Sequence, residues 1–146
     1  MKTMLGGLYN SDILSLSATL RNERLETPDG TARKTSKLCG SSVEVDVGMK
    51  DDCVSEVALR VEACALGQAS AAILKDAIVG ATLVELTDAR DALHAMLKKG
   101  GDAPSGRFAR LSLMDGVREF PARHQSTMLA FEAAIAAVKA ASIKAA

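Results

Sequence analysis

The sequence contains no tryptophan, one tyrosine and three phenylalanines, so aromatics make up 3% of its 146 residues. That scarcity excludes the stacked-aromatic platforms that hold single-stranded nucleic acid. A charge excess of one sign is also missing: 18 lysines and arginines face 18 aspartates and glutamates. A balanced chain has no general attraction for polyanions or for an anionic membrane surface. The three cysteines are an odd count spread along the chain, a poor disulfide framework that fits a reducing, cytoplasmic setting. The N-terminus, Met1 to Gly7, carries one positive charge and no apolar run of signal-peptide length. No stretch reads as a membrane span, which needs roughly 20 apolar residues. Phosphate loops, Cys-x-x-Cys pairs and nucleophile elbows are absent as well, so a hydrolase reading has no support.

What is present is a core-forming composition, 48% hydrophobic. A chain of this size buries roughly 70% of the surface it exposes when unfolded and needs no staple, so residues 1–146 read as a single domain. Tyr9 to Leu20 reads as a short helix, capped by Asn10 or Ser11, with Ile13, Leu14, Leu16 and Leu20 on one face. Thr27-Pro-Asp-Gly30 is a turn signal. Thr31 to Leu38 is polar and weakly patterned, so it reads as an edge strand or a partly irregular stretch. Ser42 to Met49 alternates, with Val43, Val45, Val47 and Met49 on one face. After the polar turn Lys50-Asp51-Asp52, Val54 to Ala63 alternates again, with Val57, Leu59, Val61 and Ala63 on one face. The short link makes an antiparallel hairpin. Cys53 shares the parity of Val57 and is expected in the core.

Helices follow. Ala65 to Val79 is alanine-rich and ends at Gly80. Leu83 to Lys99 carries the stripe Leu86, Ala89, Leu93, Met96 and Leu97, with Lys98 and Lys99 at its negative end. Gly100 to Gly106 is a loop, and Arg107 to Asp115 reads as a short helix. Pro121 opens a last helix to about Ser142, whose alanines permit close packing on a neighbour. Strands first and helices after them predict an α+β fold: a small three-stranded antiparallel sheet with helices packed on one face.

Chemistry concentrates where strand meets helix. Cys64 lies at the start of the helix beginning at Ala65, where unpaired backbone N–H groups and the helix dipole favour thiolate over thiol. Cys39 precedes the strand whose hairpin partner ends at Ala63. Pairing therefore brings the two cysteines to one sheet edge, with an expected sulfur separation within about 7 Å, close enough to share a metal after small adjustments. His124, near the start of the last helix, is a third candidate donor, and Arg123 beside it is placed to offset negative charge. Two ordinary buried cysteines remain the plain alternative.

Several segments together resemble the U-type iron–sulfur cluster scaffold family, the NifU/IscU/SufU proteins. Tyr9-Asn10 heads the opening helix. Leu38-Cys39-Gly40 resembles the family's Cys-Gly-Asp turn. Cys64-Ala-Leu-Gly-Gln-Ala-Ser-Ala71 is similar to its Gly-Cys-Ala-Ile-Ser-x-Ala-Ser-Ala stretch. Leu113-Met-Asp-Gly-Val-Arg-Glu-Phe-Pro-Ala-Arg123 looks like the segment before its third cysteine, especially in the SufU branch. The Gly100–Gly106 loop falls where that branch carries extra residues.

The resemblance implies a non-enzymatic scaffold. Three cysteines and an aspartate hold zinc or a transient [2Fe–2S] cluster, a cysteine desulfurase delivers sulfur, and apo iron–sulfur proteins receive the product. Carried over by position, Cys39 and Cys64 match two ligand cysteines. Ser41 stands at the aspartate position, Ser126 at the third cysteine, and Gln125 where some members carry a histidine. Serine is a hard, normally protonated donor and a weak substitute for thiolate. The options are a cluster shared by a homodimer, a single iron or zinc held by Cys39, Cys64 and His124, or a persulfide acceptor without cluster chemistry. A metal-free interaction module of the same fold completes the set. No nucleic acid or membrane partner is expected.

Overall fold

The structure is a computed structural model and describes residues 10–38 and 40–145. Tyr9 and Cys39 lie outside the described residues. Helix α1 spans Ser11–Thr19. Its cap is Asn10, whose Oδ1 accepts the amide of Ile13 at 3.0 Å, one of the two candidates the sequence offered. Ile13 and Leu16 are the residues it buries.

Three strands follow: β1 (Gly30–Thr35), β2 (Ser42–Lys50) and β3 (Cys53–Glu62), in the order β1-β2-β3. All pairing is antiparallel, with Gly30 opposite Val47 and Ser42 opposite Glu62. The polar strand is therefore an edge, as its composition predicted. Val43, Val45 and Val47 are fully buried, as their alternation predicted. Cys53 departs from its expected place. The register slips between Gly48 and Met49, so Met49 faces Val54 and Ser55 is left over on β3. This bulge flips the parity of the strand's first residues. Val54 enters the core at 1% exposure and Cys53 is half-buried.

The helical half begins with α2 (Ala65–Ala77) and α3 (Leu83–Lys99). Every residue of the expected α3 stripe is buried. Its start carries a capping box, in which Thr82 Oγ1 accepts the Glu85 amide and Glu85 Oε1 accepts the Thr82 amide. Gly106–Glu119 forms a 3₁₀ segment broken at Phe108, rather than the short helix expected over Arg107 to Asp115. Phe108 meets Phe131 edge to face at 5.3 Å, a geometry worth about 1 kcal/mol beyond area burial.

A 3₁₀ turn at Pro121–Arg123 leads into α4 (His124–Ala145), which packs across β1 and β2. The approach is close. A Cβ on Gly30 would lie 2.1 Å from the Ala137 carbonyl oxygen, so β1 and α4 meet backbone to backbone. Ala133, Ala134, Ala137 and Ala141 line the buried side of α4 and make that contact possible. By composition alone, Pro121–Ile143 is long and apolar enough to cross a membrane, contrary to the sequence expectation, but 67% of the apolar window is buried inside the protein. Its hydrophobicity is that of a central core helix.

The other face of the sheet is crossed by residues 20–29. Asn22 Oδ1 accepts the Val61 amide, Glu23 N–H donates to Leu59 O, and Leu25 N–H donates to Asp46. Asp46 is 3% exposed, and both its oxygens accept from the Arg60 guanidinium at 2.8 Å. That fork holds the Asp46 pKa at about 2, against the usual 3.8.

Candidate functional site

The pairing of Ser42 with Glu62 brings the chain entering β2 to the chain leaving β3. Gly40, Ser41, Glu62, Ala63, Cys64 and Arg123 line one open cleft of about 280 Å³ at that edge. Cys64 is the N-cap of α2, with extended backbone (φ −67°, ψ 173°) and a half-buried side chain. Its carbonyl accepts the Gln68 amide at 2.9 Å, while Gln68 Nε2 donates to Ala63 O at 2.8 Å. These bonds fix the strand-to-helix turn that presents the thiol.

The first turn of α4 faces this turn. Cys64 Sγ lies 3.6 Å from Ser126 Oγ. Ser126 is 1% exposed, so its hydroxyl is buried against the thiol. Ser70 Oγ donates to Thr127 O at 2.7 Å, a buried bond that ties α2 to α4. Gly67 lets the two helix starts converge, since a Cβ there would meet Ala63 Cβ at 2.7 Å and Ser126 Oγ at 2.9 Å. No sequence signal marked this role, because a glycine in the first turn of a helix does not reveal what crosses above it.

Ser41 is 5% exposed, and its carbonyl accepts the Ser36 amide at 2.8 Å. Ser36 Oγ in turn donates to Gln125 Oε1 at 2.8 Å, which anchors the loop after β1 to the start of α4. Cys39, between Leu38 and Gly40 in the sequence, lies outside the described residues. Its neighbour Gly40 (φ +73°) lines the Cys64 cleft.

His124 is placed differently from its two neighbours in the site. Successive helical residues turn by about 100°, so His124 and Ser126 point to nearly opposite sides of α4. Ser126 faces Cys64; His124 lines another cleft with His94 and Lys98. The ring is 3% exposed, and its Nε2 lies 3.0 Å from Val117 O and 3.3 Å from Arg118 O. Burial, reinforced by the Lys98 charge, pushes its pKa below the ordinary value, so the ring is neutral with its proton on Nε2. Among the described residues, no three His, Cys, Asp or Glu side chains gather into a metal-holding group. The structure thus brings together Cys64, Ser126, Ser41 and Arg123, and does not bring His124 to them. Among the described residues, a soft metal would find the Cys64 thiol here with the Ser126 hydroxyl beside it, a donor set poor in thiolate.

The crystal structure of a nitrogen-fixing NifU-like protein (N-terminal) from Brucella abortus superposes with a TM-score of 0.93 and is 42% identical to this chain. The match covers 97% of this chain and 99% of that one. The chain belongs to the U-type iron–sulfur scaffold family.

Two curated relatives within reach of this NifU-like chain are iron–sulfur cluster assembly scaffold proteins IscU. The one from Streptococcus pyogenes is 25% identical over 101 residues, 69% of this chain and 64% of that protein's length, so the match spans just under two thirds of it. The one from Thermotoga maritima is 24% identical over 134 residues, 90% of this chain and 93% of that protein. The SufU structure from Fervidobacterium islandicum shares the fold, with a TM-score of 0.82 at 19% identity over 91% of this chain and 98% of that one. No family model matches the chain. The α+β architecture, a three-stranded antiparallel sheet carrying helices, is the one the U-type resemblance implied.

Proposed function

We propose that this protein serves iron–sulfur cluster assembly as a scaffold of altered ligand set. Cys39 and Cys64 bind iron or the nascent cluster, the protein accepts sulfur from a cysteine desulfurase, and apo iron–sulfur proteins take the product. The observation that carries the reading is the position of Cys64. It caps α2 at the sheet edge, faces the first turn of α4, and does so in a chain 42% identical along its length to a NifU-like protein.

The serines at positions 41 and 126 set the chemistry. A [2Fe–2S] cluster takes four protein ligands, mainly thiolates. With Cys39 and Cys64 contributed by each chain, a homodimer supplies four, and the cluster is cargo held between subunits. Zinc competes less well than at a three-thiolate site, because hydroxyl oxygen is a weak partner for it. His124 takes no part unless its ring leaves the Val117 and Arg118 carbonyls. The protein makes and breaks no substrate bond as an enzyme does, and works in the reducing cytoplasm that its free thiols suit.

Anaerobic reconstitution with iron and sulfide, read by visible absorption, iron content and size, tests this. The wild type should gain a cluster absorption with one iron per subunit, that is one iron pair per dimer held by four cysteines. A wild type holding no more iron than the Cys39→Ser, Cys64→Ser double variant would remove the scaffold reading.

A second reading has its own support in Arg123, which lines the cleft with Cys64 and places positive charge where a sulfur anion would form. Here Cys64 accepts sulfane sulfur from the desulfurase and hands it on without iron. Mass spectrometry after incubation with desulfurase and cysteine distinguishes it: a 32-dalton adduct on Cys64 in a protein that gains no iron selects this reading.

A further inference from the structure

A larger cleft, about 520 Å³, opens between the end of β1, α3 and the start of α4, and no part of the reading above uses it. Lys34 enters from β1, His94 and Lys98 from α3, and the buried His124 from α4. Neither lysine takes part in an ion pair among the described residues. The carboxylate at the rim does not neutralise them, because Glu132 is held by Arg90 at 3.2 Å. His124 Nδ1 is buried without a hydrogen-bond partner. Apolar surface completes the lining: Met128 from α4, and Leu38, which is 74% exposed.

We propose that this cleft binds a small organic anion, its phosphate or carboxylate group held by Lys34, His94 and Lys98 and its apolar part against Leu38 and Met128. Cations projecting from two walls of a concavity reinforce one another at its centre, and the low-dielectric walls concentrate their field. The size is that of a small-molecule pocket, in which apolar contact supplies area and a few charged groups fix orientation. A nucleic acid strand is a poor occupant, since the chain has no net positive charge and only 3% aromatics. The occupant would also touch the loop that Ser36 ties to Gln125, because Leu38 and Gln125 both line the cleft. Binding would therefore stiffen the segment leading into the cysteine edge.

Titration of the whole chain with phenyl phosphate, followed by amide chemical shifts, tests the proposal. Saturable shifts are expected at Lys34, His94, Lys98 and Gln125, with phenol producing none. The Lys34→Gln, Lys98→Gln variant, checked for an unchanged melting curve, should bind at least about tenfold more weakly. Benzoate assigns the source: tighter binding than phenyl phosphate identifies a carboxylate ligand, weaker binding a phosphate. Absence of saturable shifts with both probes, shifts confined to other surfaces, or equal affinity in the double variant would overturn it.

Discussion

The thiol of Cys64 and the hydroxyl of Ser126 sit 3.6 Å apart, although the residues belong to different helices. The separation is set by backbone. Gly67 removes the side chain that would keep the helix starts apart, and the Ser70–Thr127 bond clamps them. The geometry for a second sulfur at position 126 is thus in place while the sulfur is not. A hydroxyl there can orient the Cys64 thiol but contributes little as a metal donor.

Restoring that sulfur should restore metal binding. Ser126→Cys adds a thiolate facing Cys64 with little change of volume, so the cost in stability should stay below about 1.5 kcal/mol. Zinc affinity, measured by competition with a chromophoric chelator under reducing conditions, should rise more than about tenfold, equivalent to about 1.4 kcal/mol. Equal affinities in the two proteins would mean that the side chain at 126 does not reach the bound ion.

Gly67→Ala tests the clamp from the other side. Alanine is favoured over glycine in a helix by about 1 kcal/mol, so an open site would gain stability. Here the added methyl would stand 2.7 Å from Ala63 Cβ, which cannot rotate away. Overpacking of this kind costs about 1–3 kcal/mol, and the net change should be destabilising. Denaturant unfolding gives the sign directly. The same variant should weaken any metal held at Cys64, because α4 must shift outward.

Much of this was legible in the sequence. Alternation of Val43, Val45 and Val47 marked the inner strand, and the short Lys50–Asp52 link fixed the hairpin, so the sheet edge carrying Cys64 followed from pairing alone. The α3 stripe needed only its period. The failures have physical causes. Cys53 was misplaced because one extra residue at Ser55 inverts the parity of the strand end, and periodicity cannot register a bulge. His124 was a candidate donor because it stands at the start of the last helix; that start does reach the cysteine edge, but through Ser126, and two helical steps place His124 on the far side of α4. The cleft holding Lys34, His94 and Lys98 had no linear signature, since its charges come from separate elements.

The strap over the outer sheet face makes Asp46 the residue most sensitive to acid. Its carboxylate is held by Arg60, Thr31 and the Leu25 amide. The folded pKa of about 2 lies below the ordinary value of 3.8, so the stabilisation is complete above pH 4 and is lost as pH falls toward 2. The shift corresponds to roughly 2 kcal/mol. Asp46→Asn leaves the Arg60 guanidinium without its main counter-charge and should cost about 3 kcal/mol at pH 7. Denaturant titrations at pH 7 and pH 3 check both parts: the gap between wild type and variant should narrow in acid.

His124 should show the opposite group chemistry with the same direction in pH. Its folded pKa lies below 6.5, so the unfolded chain binds its proton first and stability rises with pH through the window beneath 6.5. His124→Gln keeps a donor for the Val117 and Arg118 carbonyls and removes the titration. The variant should lose less stability than wild type between pH 7 and pH 5 in denaturant titrations. It should also bind zinc and iron as wild type does, because the side chain points away from Cys64. A variant that keeps the wild-type pH profile would show that the ring is not the buried neutral group described, and one that loses metal would return His124 to the ligand set.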